Sequence, residues 1–327
     1  MLKSNIKLLN IIIALMPSFA YAQKITLGAC ETRDGGAYRG EMQAGKPHGK
    51  GLARYQNGDT YEGQYVKGKR QGHGIYSFSD GEKYDGEWFQ DQQHGHGTYY
   101  FMNNNKYVGL WFRDYQQGHG IMYYYNGDKY EGNWDQDKRS GRGKYTFAGG
   151  AYYDGMWLGD KKNGKGIYKF QNGDVYEGDY VQGERTGEGI FRYVNGDKYT
   201  GHFSEGSLNG TGTYSWKNGD VYMGEWKNDL QDGKGKLTKK NGDVFDGTFK
   251  KGKPDGMVIV HFSDGSKYKG TYKNGKREGS AIEVTKDGTR FEGTYVNDRR
   301  DGKFIEKNRD GQIVKKGRYE NGRRYEE

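Results

Sequence analysis

The most regular feature of the chain is an aromatic residue that recurs every 23 positions. Around each recurrence, segments such as 61–65 and 74–78 alternate aromatic or glycine residues with polar ones, which is the period of β-strands. Turn-forming residues at 57–59 and 68–72 separate these segments. Each unit therefore predicts a β-hairpin. The chain as a whole predicts an all-β fold, an elongated solenoid or meander of about twelve such 23-residue hairpins.

Two residue types at fixed positions are expected to build this scaffold. The structural aromatic residues of the repeat are Tyr61, Tyr84, Tyr107, Tyr130, Tyr153, Tyr176, Tyr199 and Tyr222. A glycine follows each of them by two residues, as in Gly63, Gly86, Gly109, Gly132, Gly155 and Gly178. A missing side chain there would let a neighbouring ring lie flat over the backbone. We also expect Asn104 to replace a turn glycine, because Asn tolerates the left-handed region.

The pattern divides the chain into four parts. We expect a signal peptide over residues 1–22, a lead-in over 23–34, twelve tandem repeats over 35–310 and a degenerate capping repeat over 311–327. The cap is expected because terminal repeats of solenoids are often atypical and cover an open edge.

The first residues differ from all that follows. Lys3 and Lys7 precede an apolar run from Leu8 to Phe19, and Ala20–Ala22 supplies small residues where a signal peptidase cuts. We therefore expect export to the periplasm, the cell envelope or the medium, from a bacterial cell. Cys30 is the single cysteine, and we interpret it as a free thiol rather than a lipidated one.

Charge narrows the choice of partners. Residues 227–327 carry 25 basic and 17 acidic side chains, a net charge of +8 within a chain of net +9. In an exported protein this excess favours an anionic surface, such as phospholipid headgroups or acidic glycans, over nucleic acid. Basic residues recur at the hairpin turns, and the candidate surface contacts are Lys253, Lys276, Arg277, Arg299 and Arg300. The alternative is a merely solvated edge.

Three features imitate catalytic or metal sites. The segment 159–166 resembles a phosphate-binding loop but lacks its Ser or Thr. His73, His96 and His119 would lie two strands apart, about 9–10 Å, too far to share a metal ion. A row of acids repeats in similar surroundings: Glu62, Asp85, Glu131, Asp154, Glu177, Asp246 and Glu292. We predict no catalytic residue, no metal site and no cofactor.

One stretch carries a family resemblance. Residues Gly81–Trp88 (GEKYDGEW), followed by Gly95–Gly97 (GHG), resemble the MORN repeat, the membrane occupation and recognition nexus. The resemblance implies stacked β-hairpins in a grooved ribbon that often self-associates, serving as a scaffold between membranes and protein assemblies. Some family members carry separate lipid kinase or lysine methyltransferase domains. Only 17 residues follow Asp310, so we expect no such domain here.

These observations predict an exported, non-enzymatic scaffold with a protein partner or a second copy of itself. One alternative is a carbohydrate or cell-wall binding module that presents Tyr100, Tyr123, Tyr124 and Tyr125 to sugars. Another alternative is binding of anionic phospholipid through the basic hairpin edge.

Overall fold

The structure, a computed structural model, describes residues 24–327. Throughout this range every regular element is a β-strand, in agreement with the all-β prediction. The expected signal peptide lies outside the described residues. The chain forms two compact units, the first ending at Gln93 and the second spanning His94–Glu327.

Six strands form the first unit, and each pairs antiparallel with the next. They are β1 (Thr26–Glu31), β2 (Ala37–Gln43), β3 (Lys46–Arg54), β4 (Thr60–Val66), β5 (Lys69–Ser77) and β6 (Lys83–Phe89). Each hairpin consists of a seven-residue strand followed by a nine-residue strand, as in β4 and β5.

The second unit continues the same alternation as an antiparallel meander. Its strands are β7 (Gln92–Tyr100), β8 (Lys106–Phe112), β9 (Tyr115–Tyr123), β10 (Lys129–Asp135), β11 (Lys138–Thr146), β12 (Tyr152–Leu158), β13 (Lys161–Lys169), β14 (Val175–Val181), β15 (Glu184–Arg192), β16 (Lys198–Ser204), β17 (Ser207–Ser215), β18 (Val221–Lys227), β19 (Leu230–Thr238), β20 (Val244–Lys250), β21 (Lys253–His261), β22 (Lys267–Lys273), β23 (Lys276–Val284), β24 (Arg290–Val296), β25 (Arg299–Arg300), β26 (Gly302–Lys307), β27 (Ile313–Glu320) and β28 (Arg323–Glu326).

The first turn of each hairpin is shorter than the sequence pattern predicted. Between β4 and β5 only Lys67 and Gly68 form the turn, with φ of 53° and 84°, and Val66 already pairs with Lys69. Two successive residues with positive φ match the twist of the flanking strands. The prediction of a turn over 68–72 was therefore wrong, because the second strand begins at Lys69.

The glycine that suggested the longer turn serves a different purpose. In the β10–β11 hairpin the register shifts between Gly132 and Trp134, so the second strand accommodates extra residues in a β-bulge. Gly141 lies in this bulge with φ of 67°. A β-bulge, like a turn, needs a residue with positive φ. The glycine alone therefore did not distinguish a bulge from a turn.

The second turn agrees with its sequence signal. In the loop between β3 and β4, the Gly58 N–H donates to the Tyr55 carbonyl, and Gly58 has φ of 92°. Asn104 holds the equivalent position with φ of 64°, as predicted.

Aspartates at this second turn connect each hairpin to the following one. The Asp197 carboxylate accepts hydrogen bonds from the Lys217 backbone N–H at 2.8 Å and from the Tyr214 hydroxyl at 2.9 Å. The bond from Lys217 is the main cause of a lowered pKa of Asp197, because it stabilises the ionised form. Asp243 makes the same bond to the Ser263 N–H at 2.8 Å, and its pKa is also lowered.

These aspartates predict acid sensitivity. A carboxyl with a lower pKa in the folded state contributes stability that is full above its unfolded pKa of about 3.9 and is lost as pH falls through the folded value. We expect the thermal midpoint, followed by circular dichroism, to fall below about pH 4. Asp197→Ala should lower the unfolding free energy at pH 7 by about 1–2 kcal/mol and weaken this pH dependence.

Asp197→Asn is the control for that prediction. It keeps the acceptor oxygen but removes the titration, and Asn105 already accepts the Tyr125 N–H at the equivalent position. An acid transition unchanged by Asp197→Ala would contradict the assignment.

Near the C-terminal end, residues with larger side chains replace one of the glycines of the repeat. Val258, Ala281 and Phe304 occupy the positions of earlier strand glycines, and all three are buried in one cluster with Phe291 and Tyr319. These larger side chains add apolar contacts at the C-terminal end, where the core holds Phe291 in place of the usual tyrosine.

Candidate functional site

One side of each hairpin is a packed layer, which we call the aromatic face. The eight predicted structural tyrosines lie on it with no exposed surface: Tyr61, Tyr84, Tyr107, Tyr130, Tyr153, Tyr176, Tyr199 and Tyr222. Burial raises the pKa of Tyr176 to about 12, so its hydroxyl remains a hydrogen-bond donor at neutral pH.

Each of these tyrosines lies over a pair of glycines. The Tyr130 hydroxyl donates to the Asn133 carbonyl at 2.9 Å, which holds the ring across Gly132 and Gly143. A Cβ atom on Gly143 would approach the Tyr130 hydroxyl to 2.2 Å, and one on Gly132 would approach the Gly143 Cα to 2.4 Å. The glycines are thus required by the ring above them.

Tryptophans connect successive repeats across this face. Trp157 meets Tyr130 edge-on at 5.4 Å and Tyr153 at 5.2 Å between ring centroids. Its indole N–H donates to the Gly143 carbonyl at 3.0 Å. Perpendicular ring pairs of this kind are favourable beyond their buried area.

Cations stack on the rings of the aromatic face. The Arg139 guanidinium lies 4.4 Å from the Trp157 ring centroid, and its Nε donates to the Asp160 carboxylate at 2.9 Å. Arg70 repeats the arrangement over Trp88 at 4.5 Å. Each of these stacked cations follows the first turn of its hairpin in sequence, but its side chain packs on the aromatic face.

Two of the five predicted surface contacts take part in this packing and do not belong to the exposed edge. Arg277 pairs with Asp298 at 3.4 Å, and Arg300 pairs with Glu283 at 2.7 Å while stacking 3.7 Å from the Phe291 centroid. The two arginines are therefore engaged inside the aromatic face, whereas the sequence analysis had grouped them with the exposed turn residues.

The remaining cations form what we call the basic rim. They lie at the ends of strands and in the first turns of the last hairpins: Lys250, Lys251, Lys253, Lys273, Lys276 and Arg299. All six are exposed, and within residues 24–327 none of them forms an ion pair. The predicted contacts Lys253, Lys276 and Arg299 belong to this rim.

The opposite side of the hairpins, the charged face, holds the other predicted candidates. The His73 Nε2 lies 3.2 Å from the Asp85 carboxylate, and Glu177 lies 3.6 Å from Arg192, so acids there meet bases on neighbouring strands. Within residues 24–327 no cluster of three metal-ligating side chains occurs. A groove of about 680 Å³ crosses this face between Met156, Ile167 and Ile190.

Two further candidates have ordinary surroundings. The segment resembling a phosphate-binding loop contains the tight turn at Gly159 and Asp160, then strand β13, rather than a loop leading to a helix. Cys30 lies in β1 opposite Tyr38 as a free thiol, and burial raises its pKa.

Comparison with known families identifies the repeat. The family described as "MORN repeat" matches twelve consecutive segments, from residues 38–60 to residues 291–303. The chain belongs to the MORN repeat family. MORN repeats generally mediate interactions with proteins or membranes. A comparison with curated proteins finds no match.

Solved structures similar to this MORN-repeat chain have low overall agreement. The TCP domain of Drosophila melanogaster SAS-4, solved in complex with a proline-rich motif of Ana2, is 18% identical with a TM-score of 0.32, over 46% of this chain and 82% of that one. The TCP10 domain of Danio rerio CPAP is 12% identical with a TM-score of 0.18, over 75% of this chain and 99% of that one. Agreement at this level carries no argument about function.

Sequence reasoning about the MORN repeats missed which basic residues remain free. The sequence did hold a signal, because uncharged Gln116, Leu208 and Gln231 stand at the repeat position of the stacked cation. The structure buries all three. Across the described residues, no helix has the length and apolar character to span a membrane.

Proposed function

We propose that this protein is an exported, non-enzymatic MORN-repeat scaffold that contacts an anionic phospholipid surface through the basic rim and holds a protein partner there. The basic rim carries the proposal. Its six cations are exposed, lack carboxylate partners among the described residues, and all lie within three consecutive hairpins. A free cation retains its full attraction for an anionic surface.

The arrangement of the basic rim suits many weak contacts. Lys253, Lys276 and Arg299 begin the second strands of consecutive hairpins, so these cations recur with the period of the repeat. Each basic residue near an anionic membrane contributes about 1 kcal/mol. Repetition along one edge turns such contacts into avidity.

A role in binding rather than catalysis is supported by the sameness of the repeats. A catalytic pair needs two carboxyls with different surroundings. Glu177 and Glu188 on the charged face are both exposed, and each lies near a basic group, Arg192 or His202.

Export remains a proposal that rests on residues 1–22. The order of basic, apolar and small residues favours cleavage after Ala22 and a destination in the periplasm, the cell envelope or the medium. Sequencing the N-terminus of the protein recovered from its native cells would test this. A mature chain starting near Gln23 supports export, and an intact Met1 argues against it.

Vesicle flotation tests the basic rim. We expect the chain to float with vesicles that contain anionic phospholipid, to remain unbound with neutral vesicles and to dissociate in high salt. Lys253→Gln with Lys276→Gln should weaken binding by about 2 kcal/mol, roughly 30-fold.

A matched variant controls for net charge. Lys217 and Lys240 are exposed in second turns, at the other edge of the hairpins. Lys217→Gln with Lys240→Gln removes the same charge and should leave flotation nearly unchanged. Equal loss in both variants would indicate attraction by overall charge and would refute a specific rim.

Exposed rings keep glycan binding as a second candidate. Tyr125 is 76% exposed, so its ring is accessible to sugars, whereas Tyr100 and Tyr123 are each 39% exposed and the Lys106 ammonium lies 4.7 Å from the Tyr123 centroid. Tyr124 is half-buried beside Tyr145. Capture on cell-wall glycan that survives neutralisation of the basic rim would favour this candidate over phospholipid.

A further inference from the structure

A continuous row of rings, which we call the aromatic ladder, runs across five repeats at the surface of the aromatic face. Neighbouring ring centroids lie between 4.4 and 6.1 Å apart. Its members are Tyr124, Tyr145, Phe147, Tyr168, Phe170, Phe191, Tyr193, Tyr214 and Trp216. All but the buried Phe191 are half-buried, so most rings present an edge or face to solvent.

Cations border the aromatic ladder, and two of them lack a carboxylate partner in the described part of the chain, although the Arg185 guanidinium donates a hydrogen bond to the Gly206 carbonyl. The Lys162 ammonium lies 4.5 Å from the Tyr168 centroid, and the Arg185 guanidinium lies 5.2 Å from the Phe191 centroid. Within residues 24–327 neither pairs with a carboxylate, unlike Arg139. Burial lowers the pKa of the Lys162 ammonium. Two such cations one repeat apart are complementary to an acidic ligand.

The spacing of the repeats along the aromatic ladder matches the pitch of one ligand backbone conformation. Successive repeats are two strands apart, about 9.6 Å at the usual strand spacing. A polyproline II helix advances about 9.3 Å per turn of three residues. A proline-rich segment lying across the strands can therefore place one equivalent residue on every repeat, and aromatic grooves recognise such segments through flat ring contacts.

We propose that the aromatic ladder binds an acidic, proline-rich protein segment in the polyproline II conformation, with its carboxylates on Lys162 and Arg185. The segment belongs to the protein partner of the scaffold, and its site is separate from the basic rim. A glycan is less suited to this surface, because it needs free polar groups beside the rings. The nearest carboxylates are occupied, Asp128 by the Tyr145 hydroxyl at 2.7 Å and Asp197 by the Tyr214 hydroxyl at 2.9 Å.

Peptide titration of the full chain tests this proposal. Three labelled peptides of about five triplets each are compared by fluorescence anisotropy, built from Pro-Pro-Glu, Pro-Pro-Lys or Gly-Ser-Glu. The acidic proline peptide should bind about tenfold or more tightly than either of the others, since only it matches both the period and the charge. Equal binding of the Gly-Ser-Glu peptide would overturn the polyproline assignment.

Substitutions locate the site and separate it from the basic rim. Lys162→Gln should weaken the acidic proline peptide by about tenfold, and this variant should fold because Gln116 and Gln231 hold the same position. Phe170→Leu should weaken it through loss of ring contact. Lys253→Gln with Lys276→Gln should leave it unchanged while reducing flotation on vesicles. Loss of peptide binding in the rim variant alone, or binding of cell-wall glycan but not of the peptide, would refute the proposal.

Discussion

Tyr153→Ala is expected to lower the free energy of unfolding by about 3–5 kcal/mol, the range for removing a large buried aromatic side chain. Tyr153 has no exposed surface, and its ring meets Trp157 and Tyr180, each at 5.2 Å between centroids. Removing it leaves a cavity between two repeats and exposes Gly155 and Gly166 below. Chemical denaturation followed by tryptophan fluorescence measures the change.

Tyr153→Phe separates the contribution of the ring to the free energy of unfolding from that of the hydroxyl. It retains the packing and loses only the hydrogen bond to the Met156 carbonyl, so we expect a cost of about 1 kcal/mol. Phe245 and Phe291 stand at the same position in later repeats. If Tyr153→Ala cost no more than Tyr153→Phe, the ring would not be the element that locks the hairpin.

Gly132→Ala is expected to be strongly destabilising, at about 3 kcal/mol. The added Cβ would lie 2.4 Å from the Gly143 Cα, and backbone on both strands would have to separate. The control is Gly149→Ala, whose Cβ would meet only the Gln171 amide at 3.3 Å in an exposed turn, with an expected cost below about 0.5 kcal/mol. Thermal unfolding of both variants compares them, and similar midpoints would contradict the ring-over-glycine packing.

The period of the aromatic residues was enough to predict the hairpin and the buried tyrosines, because a strand alternates strictly between two sides. It was not enough to place Gly72. A residue with positive φ is needed both in a turn and in a β-bulge, and Gly72 lies in the bulge of β5 with φ of 72°. The glycine therefore indicates a positive φ at this position, but not whether the residue lies in a turn or in a β-bulge.

The candidate surface was harder to predict than the fold. Lys276 and Arg277 are adjacent in sequence, yet Lys276 is exposed on the basic rim while Arg277 stacks 4.6 Å from the Tyr295 centroid. The difference arises from the alternation of the strand that begins at Lys276 and from the ring of the following repeat. Partners that lie about 20 residues apart, as Arg277 and Asp298 do, are not visible from local charge.

Cations at two positions of the repeat have different roles. Rings and glycines hold successive hairpins together, and the cations that stack on them are largely engaged. The cations of the basic rim have no such role, so their loss should affect binding without affecting stability. Lys253→Gln with Lys276→Gln is therefore expected to keep the wild-type thermal midpoint.

The most direct test asks which edge meets the membrane. In a Cys30→Ser background, a fluorophore is attached at Val296→Cys, beside the basic rim, or at Lys240→Cys, at the other edge, and anionic vesicles with nitroxide-labelled headgroups are added. The basic-rim account predicts strong quenching of the Val296→Cys label and little quenching of the Lys240→Cys label. Equal quenching at both positions, or stronger quenching at Lys240→Cys, would contradict it.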